Sequence, residues 1–263
     1  MLLDEFDPNP VAVINANDGM PTAPGTVPEI VVGVFHARML AGLVASGRTR
    51  QVAEFHSTTG AIPVHALDSR GLTVGVTQML LGAPAAVGQC EEIAQLGARH
   101  FVVCGGCGVL ASDHPADLLF IPTSALRDEG TSYHYAPASD VIQAQPLALE
   151  TMRRAFHRHG IAYDEGRVWT TDAYYRETPA KIERRRAMGA RVVDMEASAL
   201  MAWSQFRQVN LYQFFRTEDS VAGESWNARR GDILRDLSEY FDAALAVAAE
   251  IIDAPGAIEN ERR

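Results

Sequence analysis

The chain has 263 residues, 47% apolar and 21% charged, a composition typical of a globular protein large enough to bury a substantial core. Lys and Arg number 23 against 33 Asp and Glu, and the formal net charge of −10 opposes general binding to nucleic acid. No apolar run reaches the roughly 20 residues of a membrane span, MLLDEFDPNP lacks the basic start of a secretory signal, and three cysteines are too few for a disulfide framework, so a reducing, cytoplasmic setting with no membrane partner is expected.

Residues 1–28 are rich in Pro, Asp and Asn and read as an irregular N-terminal arm. The ordered domain starts at EIVVGVF (Glu29–Phe35), a short buried strand, and a helix follows over Arg38–Ala45. Ile62–Ala66 and Leu72–Thr77 are strands, and the DSRG turn between them (Asp68–Gly71) makes a hairpin. Beyond Gly82, the residues Ala86, Val87, Cys90, Ile93, Ala94 and Leu96 share one helical face, and Gly97 ends that helix. HFVVCGG then reads as a buried strand running into glycines. Helix, strand and Gly-rich turn form the unit of an α/β sheet that binds ligands at strand C-termini.

Further strands are expected over Ala116–Arg127, Gly166–Tyr175, Arg191–Asp194 and Leu211–Thr217. Helices are expected over Leu147–His159, Lys181–Met188, Ala197–Gln205 and Asp232–Ile252, the last followed by a polar tail at 253–263. No repeat or linker interrupts 29–252, so a single domain is the simplest account.

Several stretches carry chemistry. Gly105, Gly106 and Gly108 directly after a strand imply positive φ and a close approach of the backbone, to a ligand or within a tight turn. Cys104 and Cys107 form a C-x-x-C, but a zinc site needs about four ligands and no second pair exists, so no metal is expected. In TTDAYYRET the adjacent Tyr174 and Tyr175 point to opposite sides of an extended chain. FFRTEDSVAG sets Arg216, Glu218 and Asp219 just past an apolar strand, where catalytic acids collect in α/β sheets. His134, in the polar loop LRDEGTSYHY, reads as a surface or packing residue, and Arg184–Arg186 as a solvated helix face. In VVDMEASALMAW, Asp194 and Glu196 flank Met195 where strand passes to helix. Asp194 suits the cap and Glu196 the positive helix end.

Taken together, GAPAAVGQCEEIAQLGARHFVVCGGCGVL, SALRDEGTSYHYAP, TTDAYY, RRAMGARVVDMEASAL and TEDS resemble the nucleoside phosphorylase family in order and spacing. That family contains bacterial purine nucleoside phosphorylases, uridine phosphorylases and related nucleosidases. The resemblance covers most of residues 30–250, and V-x-M-E-[AS] is its most specific segment. It implies a single α/β domain with a mixed, partly barrel-like central sheet flanked by helices. It also implies a homo-oligomer (dimer, trimer or hexamer) whose sites a neighbouring subunit completes.

By the same resemblance the ligand is a small nucleoside. Met195 would pack on the sugar and Glu196 would accept hydrogen bonds from ribose hydroxyls, with Asp194 as helix cap or second sugar contact. Gly105 and Gly106 would line the substrate, Tyr174 would stack on the base, and Asp219 would be the general acid that protonates purine N7. The chemistry is coherent, because N-glycosidic cleavage builds positive charge on the sugar, which a carboxylate fixed on its hydroxyls favours. The glutamine and arginine that mark uridine enzymes are absent, Thr178 and Ala180 standing there, so a purine-like base is preferred.

The departures concern phosphate, the implied co-substrate and the only cofactor-like molecule expected. The family's G-D-P-x-R loop reads GVFHAR here, so Gly33 and Arg38 survive with one more residue between them. Val103 replaces an arginine, Gly106 a serine or threonine, and Ala53 a neighbour-supplied arginine, with Arg48 and Arg50 out of register. Phosphate sites rely on arginine forks. Phosphorolysis is the expected reaction. Hydrolysis with His36 as base toward water, or nucleoside binding without turnover, are the alternatives.

Overall fold

The computed structural model describes residues 2–253 except 17, 19–25, 59, 70, 112–117, 224, 225 and 229–232, with backbone only at 233–237. In chain order its elements are β1 (Ile30–Val34), α1 (Ala37–Ala45), β2 (Thr49–Ser57), β3 (Gly60–Ser69), β4 (Leu72–Gln78), α2 (Ala83–Gln95) and β5 (His100–Val109). There follow β6 (Leu119–Asp128), β7 (Val141–Gln143), α3 (Pro146–Arg158), β8 (Tyr163–Thr171), α4 (Pro179–Ala187), β9 (Ala190–Asp194), α5 (Ala197–Arg207), β10 (Asn210–Ser220) and α6 (Ile233–Asp253).

Five strands close on themselves. β5 lies parallel to β10, β10 antiparallel to β6, β6 parallel to β8, β8 parallel to β9, and β9 returns antiparallel to the end of β5. β1 extends this ring from β5, and β4, β3 and β2 continue it as an open wing. The partly barrel-like mixed sheet is therefore present. Closure leaves no unpaired edge among the five ring strands.

β5 is apolar on both faces because both are covered. Val102 and Cys104 pack with Ala148, Met152 and Phe156 of α3 and with Tyr240 and Ala244 of α6. Phe101, Val103 and Cys107 pack with Val87, Cys90 and Ile93 of α2 and with Leu200 and Trp203 of α5. Cys104 and Cys107 thus sit in separate cores on opposite faces of one strand, which excludes them as a redox or metal pair. Burial pushes the Cys104 thiol up to about 12, as expected for an inert structural cysteine.

The hairpin at Asp68–Gly71 is β3–β4, longer than expected and paired down to Ser69 and Leu72. β2 and β7 were not anticipated. β2 is paired to β3 alone, buries only Ala53 and Phe55, and is mostly polar over the rest of its length, so it lacks a clean apolar alternation. Arg185 departs from the solvated-face reading of 184–186. It turns in to Asp128 (3.0 Å), where Lys181 (2.9 Å) and the Trp169 Nε1–H (2.9 Å) also converge, while Arg184 and Arg186 remain exposed. His134 is exposed, as read.

The described part of the N-terminal arm lies on its own chain. Phe6 meets Phe206 edge to face at 6.2 Å, and Arg207 donates to the Pro10 carbonyl at 2.8 Å. The polar tail from 254 and the expected helix start at Asp232 lie outside the described residues. Among those residues no helix is long and apolar enough to cross a membrane.

Candidate active site

β9 stops at Asp194, and the chain turns into α5 within three residues. The first N–H groups of a helix lack partners inside it. Asp194 supplies them: its Oδ2 accepts the Glu196 N–H at 3.1 Å and the Ala197 N–H at 2.7 Å, and its Oδ1 accepts the Thr170 hydroxyl at 2.7 Å. Thr170 Oγ1 in turn accepts the Ser198 N–H, and the Ser198 hydroxyl donates to Glu129, whose other oxygen accepts the Ser132 N–H. All of these side chains are buried. Asp194 is therefore occupied in holding the strand–helix junction, which leaves Glu196 as the acid of the pair with capacity for a ligand.

Glu196 is 5% exposed and makes no side-chain cap to α5. Its Oε1 accepts the Gly82 N–H at 2.6 Å, so its carboxylate sits at the positive start of α2, not of its own helix. Met195 beside it is half-buried. Burial raises both carboxyls, and Asp194's charge adds to burial at Glu196, which is pushed up to about 8. The hydrogen bonds to Asp194 favour its ionised form, and that charge beside Glu196 favours protonation of Glu196.

A pH dependence of stability follows. The folded state prefers Glu196 protonated, so this contribution is complete below its unfolded value near 4.5 and is lost as pH rises through about 8. Glu196→Gln mimics the protonated form. Urea unfolding at a series of pH values should show the wild type losing stability relative to this variant between those limits, by at most about 1.4 kcal/mol per pH unit. Parallel curves would show that Glu196 ionises freely.

A second cluster stands over the end of β5. The β10–β5 register shifts between Thr217 and Asp219, making Glu218 the extra residue of a bulge. On a regular strand neighbours face opposite sides, and the bulge re-aims them. Both acids therefore lean over β5. A Cβ on Gly106 would collide with the Glu218 carboxylate, and one on Gly108 would stand 3.0 Å from Asp219 Oδ1. A Cβ on Gly105 would meet the Phe35 ring at 3.0 Å.

The close approach expected of these glycines is real, but side chains make it. The expected positive φ and turn are not found: all three glycines lie within β5, and none is among the positive-φ glycines of the described residues. Glu218 Oε1 lies 2.6 Å from His36 Nε2. Asp219 Oδ2 accepts the Trp226 Nε1–H at 2.5 Å, and the Ser220–Asn227 bridge holds that segment back against β10. Val193 of β9, next to Asp194, pairs with Gly108 of β5, so the two acid clusters adjoin across the β5–β9 pairing.

Tyr174 and Tyr175 do not alternate along a strand. They lie in a short helical turn after β8 with ring centroids 4.2 Å apart, and both are exposed. The same loop carries Glu177, which burial and the charge of Asp219 push up to about 7, so this segment passes beside Asp219. Two clefts have other linings. One of ≈ 880 Å³ is lined by Arg48, Arg216 and Tyr240, and one of ≈ 390 Å³ by Arg50, His100 and Ile251. Neither contains the paired acids, and size alone does not outweigh their chemistry.

A model of the "Phosphorylase superfamily" matches residues 40–254. The chain belongs to this superfamily. It is 27% identical over 135 residues to a guanosine phosphorylase of Halorubrum lacusprofundi, covering 51% of this chain and 55% of that protein. It is 24% identical over 186 residues to a DeoD-type purine nucleoside phosphorylase of Bacillus cytotoxicus, covering 69% and 77%. A uridine phosphorylase of Thermococcus kodakarensis is 28% identical over 106 residues, covering 40% and 38%. The chain thus spans about half or less of the length of the guanosine and Thermococcus uridine enzymes.

Among solved structures, a Toxoplasma gondii purine nucleoside phosphorylase in complex with immucillin-H shares the fold with a TM-score of 0.75. Its identity is 20%, over 89% of this chain and 97% of that one. A Vibrio fischeri uridine phosphorylase superposes with a TM-score of 0.71 at 18% identity, over 93% and 100%.

The two weak phosphate contacts read from the sequence lie at the end of β1 and on α1. Gly33 is buried one residue before the end of β1, paired to both β4 and β5, and the place of its missing side chain is taken by Met79. Packing against Met79 accounts for a glycine at this position. Arg38 is exposed on the first turn of α1. Val103 and Ala53 are buried in the core, so no polar group replaces the arginines there.

Gly82, Thr170, Ser198, Glu129 and Trp226 escaped the sequence reading as site residues. All of them except Trp226 lie within the segments that carry the family resemblance.

Proposed function

We propose that this chain cleaves the N-glycosidic bond of a nucleoside with a purine-like base, passing the ribosyl group to an oxygen nucleophile. Phosphate is the nucleophile that the names of its relatives suggest. The observation that carries the reading is Glu196: a buried carboxylate anchored on the Gly82 N–H, one strand away from Asp219 at the end of β5.

As the bond breaks, charge builds on the sugar. In its ionised form Glu196 accepts hydrogen bonds from the ribose hydroxyls and stabilises that charge in a low-dielectric setting, while half-buried Met195 supplies an adaptable apolar wall. The electron pair of the C–N bond leaves with the base, and Asp219 delivers a proton to purine N7. Tyr174 offers a ring face to the base from the neighbouring loop.

The test is incubation with inosine, guanosine, adenosine and uridine and chromatographic measurement of free base. Purine nucleosides are expected to be cleaved ahead of uridine. Faster uridine cleavage overturns the base preference, and no base from any of them overturns the proposal.

A further inference from the structure

We infer that the nucleophile is water, activated by Glu218 with His36 holding it in place. This rests on the reading above, that the site cleaves nucleosides. Glu218 Oε1 is fixed by His36 Nε2 at 2.6 Å, and its carboxylate fills the space that only a glycine at 106 leaves open. Asp219 Oδ1 fills the corresponding space over Gly108. Gly106 and Gly108 lie two residues apart in β5, so these spaces are on one face and about 7 Å apart at the usual rise of a strand. Two carboxyl groups set over neighbouring positions of one strand face, one an acid toward the leaving group and the other a base, can hold a water molecule between base and scissile bond.

Charge disfavours the other acceptor. A phosphate dianion beside Gly106 would press against the Glu218 carboxylate, and the positions that would offset it are the buried Val103 and Ala53. Like charges at short range in a partly buried site repel strongly, and neither Val103 nor Ala53 supplies an arginine fork there. A water molecule meets no such barrier and gains a hydrogen-bond acceptor.

The step balances. A lone pair of the water oxygen forms the bond to C1′, and the C1′–N bond breaks with its electron pair going to the base. One water proton passes to Glu218, and the proton on Asp219 passes to the base. The products are free ribose and free base, one water having been added across the bond. Glu218 is the catalytic base, and His36 is a positioning residue that keeps one carboxylate oxygen tied and the other turned to the water.

The experiment uses the full chain in buffer stripped of phosphate, then titrated with inorganic phosphate, with base and sugar products both measured. The expected result is base release at a rate independent of phosphate, with free ribose as the sugar product. Glu218→Gln should lower kcat by about 10²-fold or more with KM little changed. His36→Gln should lower kcat less, again without moving KM.

Base release that requires phosphate and yields a sugar phosphate overturns the water assignment while leaving nucleoside cleavage standing. No release with or without phosphate removes nucleoside cleavage itself, and this inference with it. Full activity in Glu218→Gln overturns the role of Glu218. The phosphate titration of the wild type decides the acceptor even if a variant misfolds.

Discussion

Glu196→Ala is expected to lower kcat/KM for a purine nucleoside by about 10²–10³-fold, the scale of removing one preorganised electrostatic contact to a charged transition state. The fold should survive. The Gly82 N–H loses its acceptor, a cost of about 1–3 kcal/mol, but the substitution also removes a carboxyl that burial disfavours in its ionised form. Asp194, Thr170 and Ser198 still hold the start of α5 without it. Steady-state kinetics beside a thermal melt separates the outcomes. A variant that melts near the wild type and keeps near-full activity would remove Glu196 from the sugar. Glu196→Gln sharpens the reading, since it keeps an acceptor for Gly82 and loses the charge. If charge on the developing cation is what matters, it should resemble alanine more than wild type.

Asp219→Asn is expected to reduce cleavage of purine nucleosides by about 10²–10⁴-fold, the usual contribution of a positioned general acid. The loss should be much smaller for a riboside whose leaving group departs without a proton, such as a nitrophenolate. The contrast between the two substrates is the measurement. Asparagine can still accept the Trp226 N–H, so the Ser220–Asn227 segment should stay in place. Equal losses on both substrates would mean that Asp219 shapes the site without delivering a proton. Glu177, on the loop beside it, is a nearby carboxyl with a raised pKa and the residue to substitute next in that event.

Much of the architecture was legible without coordinates. The helices over Ala37–Ala45, Ala83–Gln95, Pro146–Arg158 and Ala197–Arg207 lie within a residue or two of their sequence-based bounds, because apolar periodicity and glycine or proline punctuation are local signals. The weakly patterned edge strand β2 was not legible, since one-sided pairing leaves most of its residues free to be polar. The junction Asp194–Met195–Glu196 was conspicuous for the same local reason: two acids at a strand–helix boundary where one cap suffices.

The sequence by itself determined the alternation of strands and helices, the acids at the ends of β9 and β10, and the glycines at the end of β5. Only the tertiary structure decided what those groups do to one another. Glu196 meets Gly82 across 114 positions of chain and His36 meets Glu218 across 182, distances over which no spacing rule operates. The glycine run looked like a turn because glycine permits positive φ. In the folded chain it is a straight strand whose missing side chains make room for Phe35, Glu218 and Asp219. A one-residue bulge in β10, with no mark in the sequence, sets both acids over β5, because inserting one residue cancels the alternation that would have sent one of them to the other face.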